Sequence, residues 1–461
     1  MVKKEGFEYR VLIEPDNPSI VCNDDLCKKC KLCQKACQNE IGVFSFYDLE
    51  KTGNTAICIN CGACIQACPF NAITAVSDID RVKTALADSD KVVIFNTAPA
   101  VRVGLGEEFG FERGAFVQGK MVSAIRKLGA DYVLDISCGA DLTITEEASE
   151  LVYRLKNKDK FKFPMFTSCC PAWVKMCEMY YPELIPNLSS AKSPIAMQGS
   201  IVKTYFAQKA GLDPKKIVNV TVAPCVAKKM ECKRKELNAA MLDGTPDVDI
   251  VITTVELAKM IKEAGIDFVN LEDSDFDSIF GHGSSSGLIF GNTGGVMQAA
   301  LRSAHYYITG KNMTEEQIEA CEPVRGIDNV KFLNVKLGDY DLHVAAVSQM
   351  SEAKKLIAMI ENKEIALDFV EVMACRGGCA NGGGQPRVIK RPEQEVTRQN
   401  RNKNLYSTDN KEQKIRFCHE NPEIVALYND FLGAPLSEKA HHLLHTHFED
   451  KSYMLDISKK K

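Results

Sequence analysis

The chain has 461 residues, 45% of them hydrophobic and 26% charged, with a net charge of −4 and one tryptophan, Trp173. That length provides for roughly three domains and ample core, and the composition excludes a disordered chain. The slight acidity excludes recognition of nucleic acid through a basic surface.

Nineteen cysteines are the anomaly. Met1-Val2-Lys3-Lys4-Glu5 has no apolar stretch behind its charges, so no secretory leader is read there and a cytoplasmic protein is expected. A chain of this size does not need disulfide staples. The longest uncharged run, Ser278–Leu301, carries six glycines and four serines, which describes a loop-rich segment and no membrane span. Cysteine in a cytosolic setting points instead to metal or redox chemistry.

Residues 1–20 read as a lead-in. Within 21–80, Cys27-x2-Cys30-x2-Cys33-x3-Cys37 is followed by Cys58-x2-Cys61-x2-Cys64-x3-Cys68-Pro69. This is the bacterial ferredoxin run written twice, in which three thiolates wrap one iron–sulfur cube and the fourth points to the other. The expected [4Fe–4S] sets are Cys27, Cys30, Cys33 and Cys68, and Cys58, Cys61, Cys64 and Cys37. Gln38 stands where a proline would follow Cys37, which predicts a looser chain exit. Zinc is the alternative, but its sites pair two short elements and do not need a triple x2 run. Cys22 lies outside both runs and reads as a plain buried thiol. A unit this small is held by metal in place of a large core.

From Lys91 onward, apolar strands alternate with amphipathic helices. Strands are predicted over Lys91–Asn96, Asp131–Ile136, Ile217–Val222, Asp247–Thr253 and Leu367–Ala374. Helices are predicted over Val117–Leu128, Thr145–Lys156, Val255–Ala264 and Ser351–Glu361. The fold class is therefore α/β, with parallel-rich sheets flanked by helices after a small α+β ferredoxin-like domain. The second domain spans 81–461, with lobes of about 81–215 and 216–461.

Ligands in such folds bind beyond the carboxyl ends of strands, and three cysteine motifs sit there. They are Thr167-Ser168-Cys169-Cys170-Pro171-Ala172-Trp173, Ala223-Pro224-Cys225-Val226-Ala227-Lys228-Lys229-Met230-Glu231, and Glu371-Val372-Met373-Ala374-Cys375-Arg376-Gly377-Gly378-Cys379, which runs on through Ala380-Asn381-Gly382-Gly383-Gly384-Gln385-Pro386. Each alone has a bland reading, as a core pair or a turn. Together they offer thiols at loop tips, glycines that let backbone approach an inorganic cluster, and lysines to neutralise an anion. They predict a third cluster site, fed by the two cubes.

These motifs resemble the three active-site motifs of the [FeFe]-hydrogenases, a family in which a ferredoxin-like domain commonly lies upstream. The resemblance runs from Cys27 to the final forty residues. It implies an H-cluster, a [4Fe–4S] cube joined by one cysteine to a two-iron unit that carries CO, cyanide and an amine-containing dithiolate bridge. By motif, Cys170, Cys225, Cys375 and Cys379 would hold the cube, with Cys379 bridging to the two-iron unit. Cys169 would exchange protons with the bridging amine. The reaction implied is 2H⁺ + 2e⁻ ⇌ H₂.

The same resemblance implies a proton relay Cys169–Glu147–Ser189–Glu150, although on the residues alone both glutamates read as solvated helix-face charges. It assigns Lys228 to a cyanide ligand by a charge-assisted hydrogen bond, with Lys229 structural, and places Ala98, Pro99, Ser193 and Met373 against the two-iron unit or its pocket. Ala223 and Ala227 stand where better-known members have Met and Ser. Those departures remove a thioether and a hydroxyl beside the cluster and predict an altered potential and catalytic bias.

The implied partners are H₂ and protons, an external carrier such as ferredoxin or flavodoxin, and maturation enzymes that build the two-iron unit, with no nucleic acid and no membrane. A sensory hydrogenase and a non-catalytic iron–sulfur assembly relative are the alternatives. Cys138 reads as a core residue. The stretch His441-His442-x2-His445-x-His447 reads as one face of a helix more than as a metal site. Gly281–Gly295 lacks the Lys-Ser/Thr ending of a phosphate loop, and neither a flavin nor NAD is expected.

Overall fold

Ile20–Cys22 (β1) pairs antiparallel with Ile73–Ala75 (β2), so the two ends of the small N-terminal unit close on each other. The structure is a computed structural model that describes residues 7–240, 245–327, 330–410 and 413–459; the leader reading of Met1–Glu5 lies outside them. Between β1 and β2, the short helices Leu32–Ala36 and Ala63–Ala67 each begin at the second cysteine-flanked turn of a run. The lead-in is part of this unit. Val11 is buried in its core with Cys33, Cys64 and Cys68, and Gln34 Nε2 donates to Phe7 O at 2.6 Å.

The chain does not loosen after Cys37 as Gln38 predicts. It continues as one π turn over Cys37–Ile41 and ends at Gly42 in the left-handed region. At the matching place the helix Ala63–Ala67 stops before Cys68-Pro69. Cys22 is half-buried at the end of β1, less enclosed than the sequence predicts.

Two four-stranded sheets follow. The first contains Val92–Thr97 (β3), Tyr132–Asp135 (β4), Ile217–Ala223 (β6) and Ile250–Thr253 (β7), in the order β4-β3-β6-β7 and parallel throughout. The near-continuous apolar run of β3 is what a strand covered on both faces requires, and five of its six residues are buried. The second sheet contains Met165–Phe166 (β5), Val330–Leu337 (β8), Tyr340–Ser348 (β9) and Phe369–Met373 (β10), in the order β5-β10-β9-β8. It is parallel except for the β8–β9 hairpin.

That division corrects the lobes read from sequence. The sheets do not part near residue 215, because β6 and β7 complete the first sheet while β5, far upstream, stands in the second. The helix predicted over Thr145–Lys156 begins nine residues earlier, at Ile136. Asp135 caps it by accepting from Ser137 N. Its N-terminal half is enclosed on every side, so no polar face marks it in the sequence. The loop-rich reading of Ser278–Leu301 is also corrected in part, since Ser285–Ile289 and Gly295–Thr309 are helical. Among the described residues no helix is long and apolar enough to cross a membrane.

Candidate active site

Each of the three cysteine motifs leaves the carboxyl end of a parallel strand. Cys169 and Cys170 follow β5, Cys225 follows β6, and Cys375 follows β10. Two motifs thus come from neighbouring strands of the second sheet and one from the first. Pro171 opens the helix Pro171–Tyr180, and Cys170 is its N-cap residue. Pro at the first helical position has its fixed φ ready and lacks only an N–H that would be orphaned.

The thiols form three groups. Cys33 feels the charge of Cys30 and Cys68, and Cys27 packs on the same small core. Burial pushes the Cys37 thiol up to about 12, with Cys58 adding to the shift. Burial also pushes Cys64 up, with Cys58, Cys61 and Cys37 acting in the same direction. The fourth cysteine of each run therefore stands with the other run. In the third group, burial raises Cys379, with Cys225 and Cys170 adding to it, and burial raises Cys375, with Cys225, Cys170, Cys61 and Cys379 adding to it.

Four thiols crowded in a buried space repel one another as thiolates unless cationic metal sits between them. Among the described residues no three His, Cys, Asp or Glu side chains converge closely enough to hold a single metal ion.

Glycine makes the third group possible. Gly378 has φ +86°, and a Cβ there would stand 2.8 Å from Met373 Sδ and 2.5 Å from Thr293 N. Gly383 lies against the ferredoxin-like unit, where a Cβ would meet Cys61 O at 2.8 Å. A Cβ at Gly62 would meet Gly383 Cα at 2.9 Å and Val226 Cγ2 at 2.7 Å. Cys61 is therefore carried up to the Cys375 loop.

Lys228 Nζ donates to Glu231 Oε2 at 2.8 Å and to Cys169 O at 3.1 Å. Burial lowers this ammonium, but Glu231, with Cys225 and Cys169 adding to it, outweighs the effect, and the net shift is upward. Two of its three donors are thus placed, and one remains for an anion. Ser193 donates to the same Glu231 oxygen at 3.0 Å, so its hydroxyl braces the lysine's partner. Lys229 is spent on Asp78, Val251 O and Glu256, in keeping with a structural role. Ala98 and Pro99 follow β3 and open a short 3-10 turn, and Gln385 Nε2 ties Ala100 O to the third motif at 2.8 Å. Ala223 and Ala227 are fully buried.

Cys169 and Met373 share an apolar pocket with Ala140, Ile144, Phe290, Val296, Ala299 and Cys418. Glu147 is fully buried, and neither of its carboxylate oxygens has a hydrogen-bond partner. Burial pushes it up to about 8, Glu150 adds to this, and the nearby Ser189 opposes it. Ser189 Oγ hydrogen-bonds onward, to Glu150 Oε2 at 3.1 Å.

Beyond Ser189 lie groups that the sequence did not reveal. Arg154 holds Glu150 Oε1 through Nε at 3.0 Å and Nη2 at 2.5 Å. Ser190 Oγ joins Glu150 to His445 Nδ1, and His445 Nε2 reaches Glu146 Oε2 at 3.0 Å. The i, i+4 spacing of Glu150 and Arg154 was a readable signal. His441 and His445 do face each other, with ring centroids 4.4 Å apart, but His445 is committed to Ser190 and Glu146. Cys138 is fully buried, as expected of a core residue.

Comparison with known proteins gives the chain its family. Residues 91–383 match the family model "iron only hydrogenase large subunit, C-terminal domain", residues 394–451 match "iron hydrogenase small subunit", and residues 52–74 match a "4Fe-4S binding domain". The chain is 43% identical to iron hydrogenase 1 of Clostridium pasteurianum, over 96% of this chain and 77% of that one. It is equally similar, at 43% and the same coverage, to the NADP-reducing hydrogenase subunit HndD of Solidesulfovibrio fructosivorans. A solved [FeFe]-hydrogenase, HydA1 from Chlamydomonas reinhardtii, superposes with a TM-score of 0.70 at 38% identity, covering 81% of this chain and 99% of that one. At 31% identity over 85% of this chain stands a relative of another kind, cytosolic iron-sulfur assembly component 3 of Bos taurus.

Proposed function

Since the chain belongs to the iron-only hydrogenase family, we propose that it is a catalytic [FeFe]-hydrogenase performing 2H⁺ + 2e⁻ ⇌ H₂. Electrons would pass between an external carrier of the ferredoxin or flavodoxin class and the active site through two [4Fe–4S] cubes, in the cytoplasm. Cys170, Cys225, Cys375 and Cys379 would hold the H-cluster cube, with Cys379 shared with a two-iron unit inserted by maturation enzymes. When bound, that cofactor supplies an open iron position and a basic amine, which together split or form H₂ heterolytically.

The chain's own part is to hold and move protons while keeping water out. Burial, Glu147 and the neighbouring thiols push Cys169 well up, so its Sγ carries a proton at neutral pH and can give it to a base in the chamber. Glu147 can return one, because burial keeps its carboxyl able to stay protonated near pH 7. Ser189 both accepts and donates through one hydroxyl, and its bond to Glu150 points the transfer outward. Lys228 offers its remaining N–H to an anionic ligand.

The observation that carries this reading is the lone buried carboxyl of Glu147, set between a buried thiol and a serine–glutamate hydrogen bond. A scaffold protein has no use for a buried, unsatisfied acid, since such a group costs stability. The assembly-type relatives favour the second reading, a non-catalytic iron–sulfur role.

An infrared spectrum of the anaerobically matured protein, with H₂ evolution from reduced methyl viologen, tests both readings. Bound CO and cyanide stretches with turnover are expected. A fully matured sample with cubes but neither bands nor turnover would overturn catalysis in favour of assembly or electron transfer.

A further inference from the structure

The two cysteine runs are structural repeats, but their letters differ at the same strained positions. Aligned on the cysteines, Lys28-Lys29 faces Ile59-Asn60, and Lys31 faces Gly62. Lys29 and Asn60 have φ of +55° and +62°, and Lys31 and Gly62 have +64° and +78°. The ψ values of Lys31 and Gly62 also agree, at 8° and 10°. Both knuckles therefore demand the left-handed conformation twice. Gly and Asn adopt it most readily, and a side chain with a Cβ and a long stem is disfavoured there.

The second run follows that rule, and it is enclosed. Ile59 and Asn60 are buried, Asn60 is held by Asn17 and Lys175, and Gly62 abuts Gly383. The first run breaks the rule twice, with lysine each time, and it is exposed. Lys28, Lys29, Cys30 and Lys31 all face solvent. Lys35, one helical turn after Lys31, is exposed as well. Among the described residues none of the four lysines has an ion-pair partner; Lys29 Nζ stands 5.0 Å from the Tyr9 ring centroid.

The acidic groups beside them do not cancel this charge. Asp24 is bound by Arg10, which leaves Asp25 as the exposed acid in the adjoining turn. Val21 and Leu26, just upstream in the chain, are apolar side chains left 46% and 44% exposed. Folding does not require these lysines, and backbone conformation disfavours two of them, so their presence reflects a surface.

We propose that the lysine ring around Cys30 is the docking face for a small acidic electron-carrier protein. The proposal rests on the hydrogenase reading for why a carrier is needed, and the repeat asymmetry alone locates the face. Clustered like charge over an exposed cluster edge attracts an acidic partner at long range and aligns it, which mainly raises the association rate and fades with salt. The chain's overall charge of −4 sharpens the selection, since such a carrier is repelled elsewhere.

The test measures binding of a strongly acidic ferredoxin to the cluster-loaded protein at two salt concentrations, by calorimetry. Two variants are compared with the parent, K28Q/K29Q/K31Q/K35Q and K29N/K31G. The second gives the exposed run the letters of the enclosed one. Both should weaken binding, the first by roughly tenfold or more at low salt, and both should flatten the salt dependence. K29N/K31G should keep its iron and melt no lower than the parent, because it relieves two left-handed lysines.

Unchanged affinity and salt slope in K29N/K31G would overturn the proposal. Equal binding of a basic cytochrome c by the parent would also overturn it. Methyl-viologen turnover in the parent decides the hydrogenase reading separately, so the two failures are distinguishable.

Discussion

Ser189 Oγ lies 3.1 Å from Glu150 Oε2, and Ser190 reaches that same oxygen through both its backbone N and its hydroxyl. Glu150 thus keeps two of these three bonds if Ser189 is removed, whereas Glu147 loses the hydroxyl that acts on it. Ser189→Ala should therefore leave iron content and the melting temperature nearly unchanged while turnover falls by about 10²-fold, the usual contribution of a positioned proton-transfer group. Cys169→Ala should likewise retain iron and abolish turnover. Iron analysis beside H₂ evolution checks both.

Glu147 makes a prediction of opposite sign to most carboxylates. Its folded value, about 8, lies above its ordinary value of 4.5. The folded state is therefore not penalised below pH 4.5, loses stability as pH rises from there toward 8, and loses no more above that. Glu147→Gln removes this dependence. The variant should gain little over the parent near pH 5 and of order 3–5 kcal/mol near pH 8, while turnover is lost. Denaturant melts at the two pH values measure the difference.

Lys228 and Glu231 are a buried pair with Ser193 behind them. Lys228→Met strands the Glu231 carboxylate and should cost about 3–5 kcal/mol. Adding Glu231→Gln should restore most of that stability. If Lys228 also holds a ligand of the two-iron unit, the double variant will fold and still show weak or shifted cyanide stretches. Normal infrared bands in the double variant would confine Lys228 to stability.

His445 braces the relay from outside, between Ser190 and Glu146. Among the described residues, His445→Phe leaves the buried Glu146 with Tyr428 and the Leu436 amide, and a loss of about 1–3 kcal/mol is expected. His445→Gln keeps a donor and an acceptor and should lose less than half of that. Thermal melts of the two variants give the comparison.

What the sequence revealed tracks what is local. Ligand spacing is a property of a few consecutive residues, so both runs and all three motifs could be read directly, and β6 and β10 ended within one residue of their predicted ends, while the two-residue β5 ahead of the first motif was not predicted. Ser190 and His445 could not be assigned, because their roles come from a meeting of distant segments, whereas the pairing of Arg154 with Glu150 was local and legible. The β8–β9 hairpin escaped because Lys331, Asn334 and Lys336 interrupt its apolar pattern, as an edge strand tolerates. Its tight turn is Gly338-Asp339, with Gly338 at φ +57°, and not the stronger Asn-Gly signal. The first half of the Ile136–Lys156 helix was missed for the opposite reason. It is buried all round, and a helix without a wet side has no stripe to read.

The contact between Gly62 and Gly383 bears on how the protein can be rebuilt. Backbone meets backbone there with no room for a single methyl group, so the N-terminal unit is fitted to its neighbour and is not a detachable cassette. A graft that replaced residues 21–80 with another two-cluster module would match in cysteine spacing and still fail to seat unless it brought glycine to that one knuckle. Modular exchange in this architecture is thus governed by the seam, and a library of donor modules can be sorted by one letter before any is made.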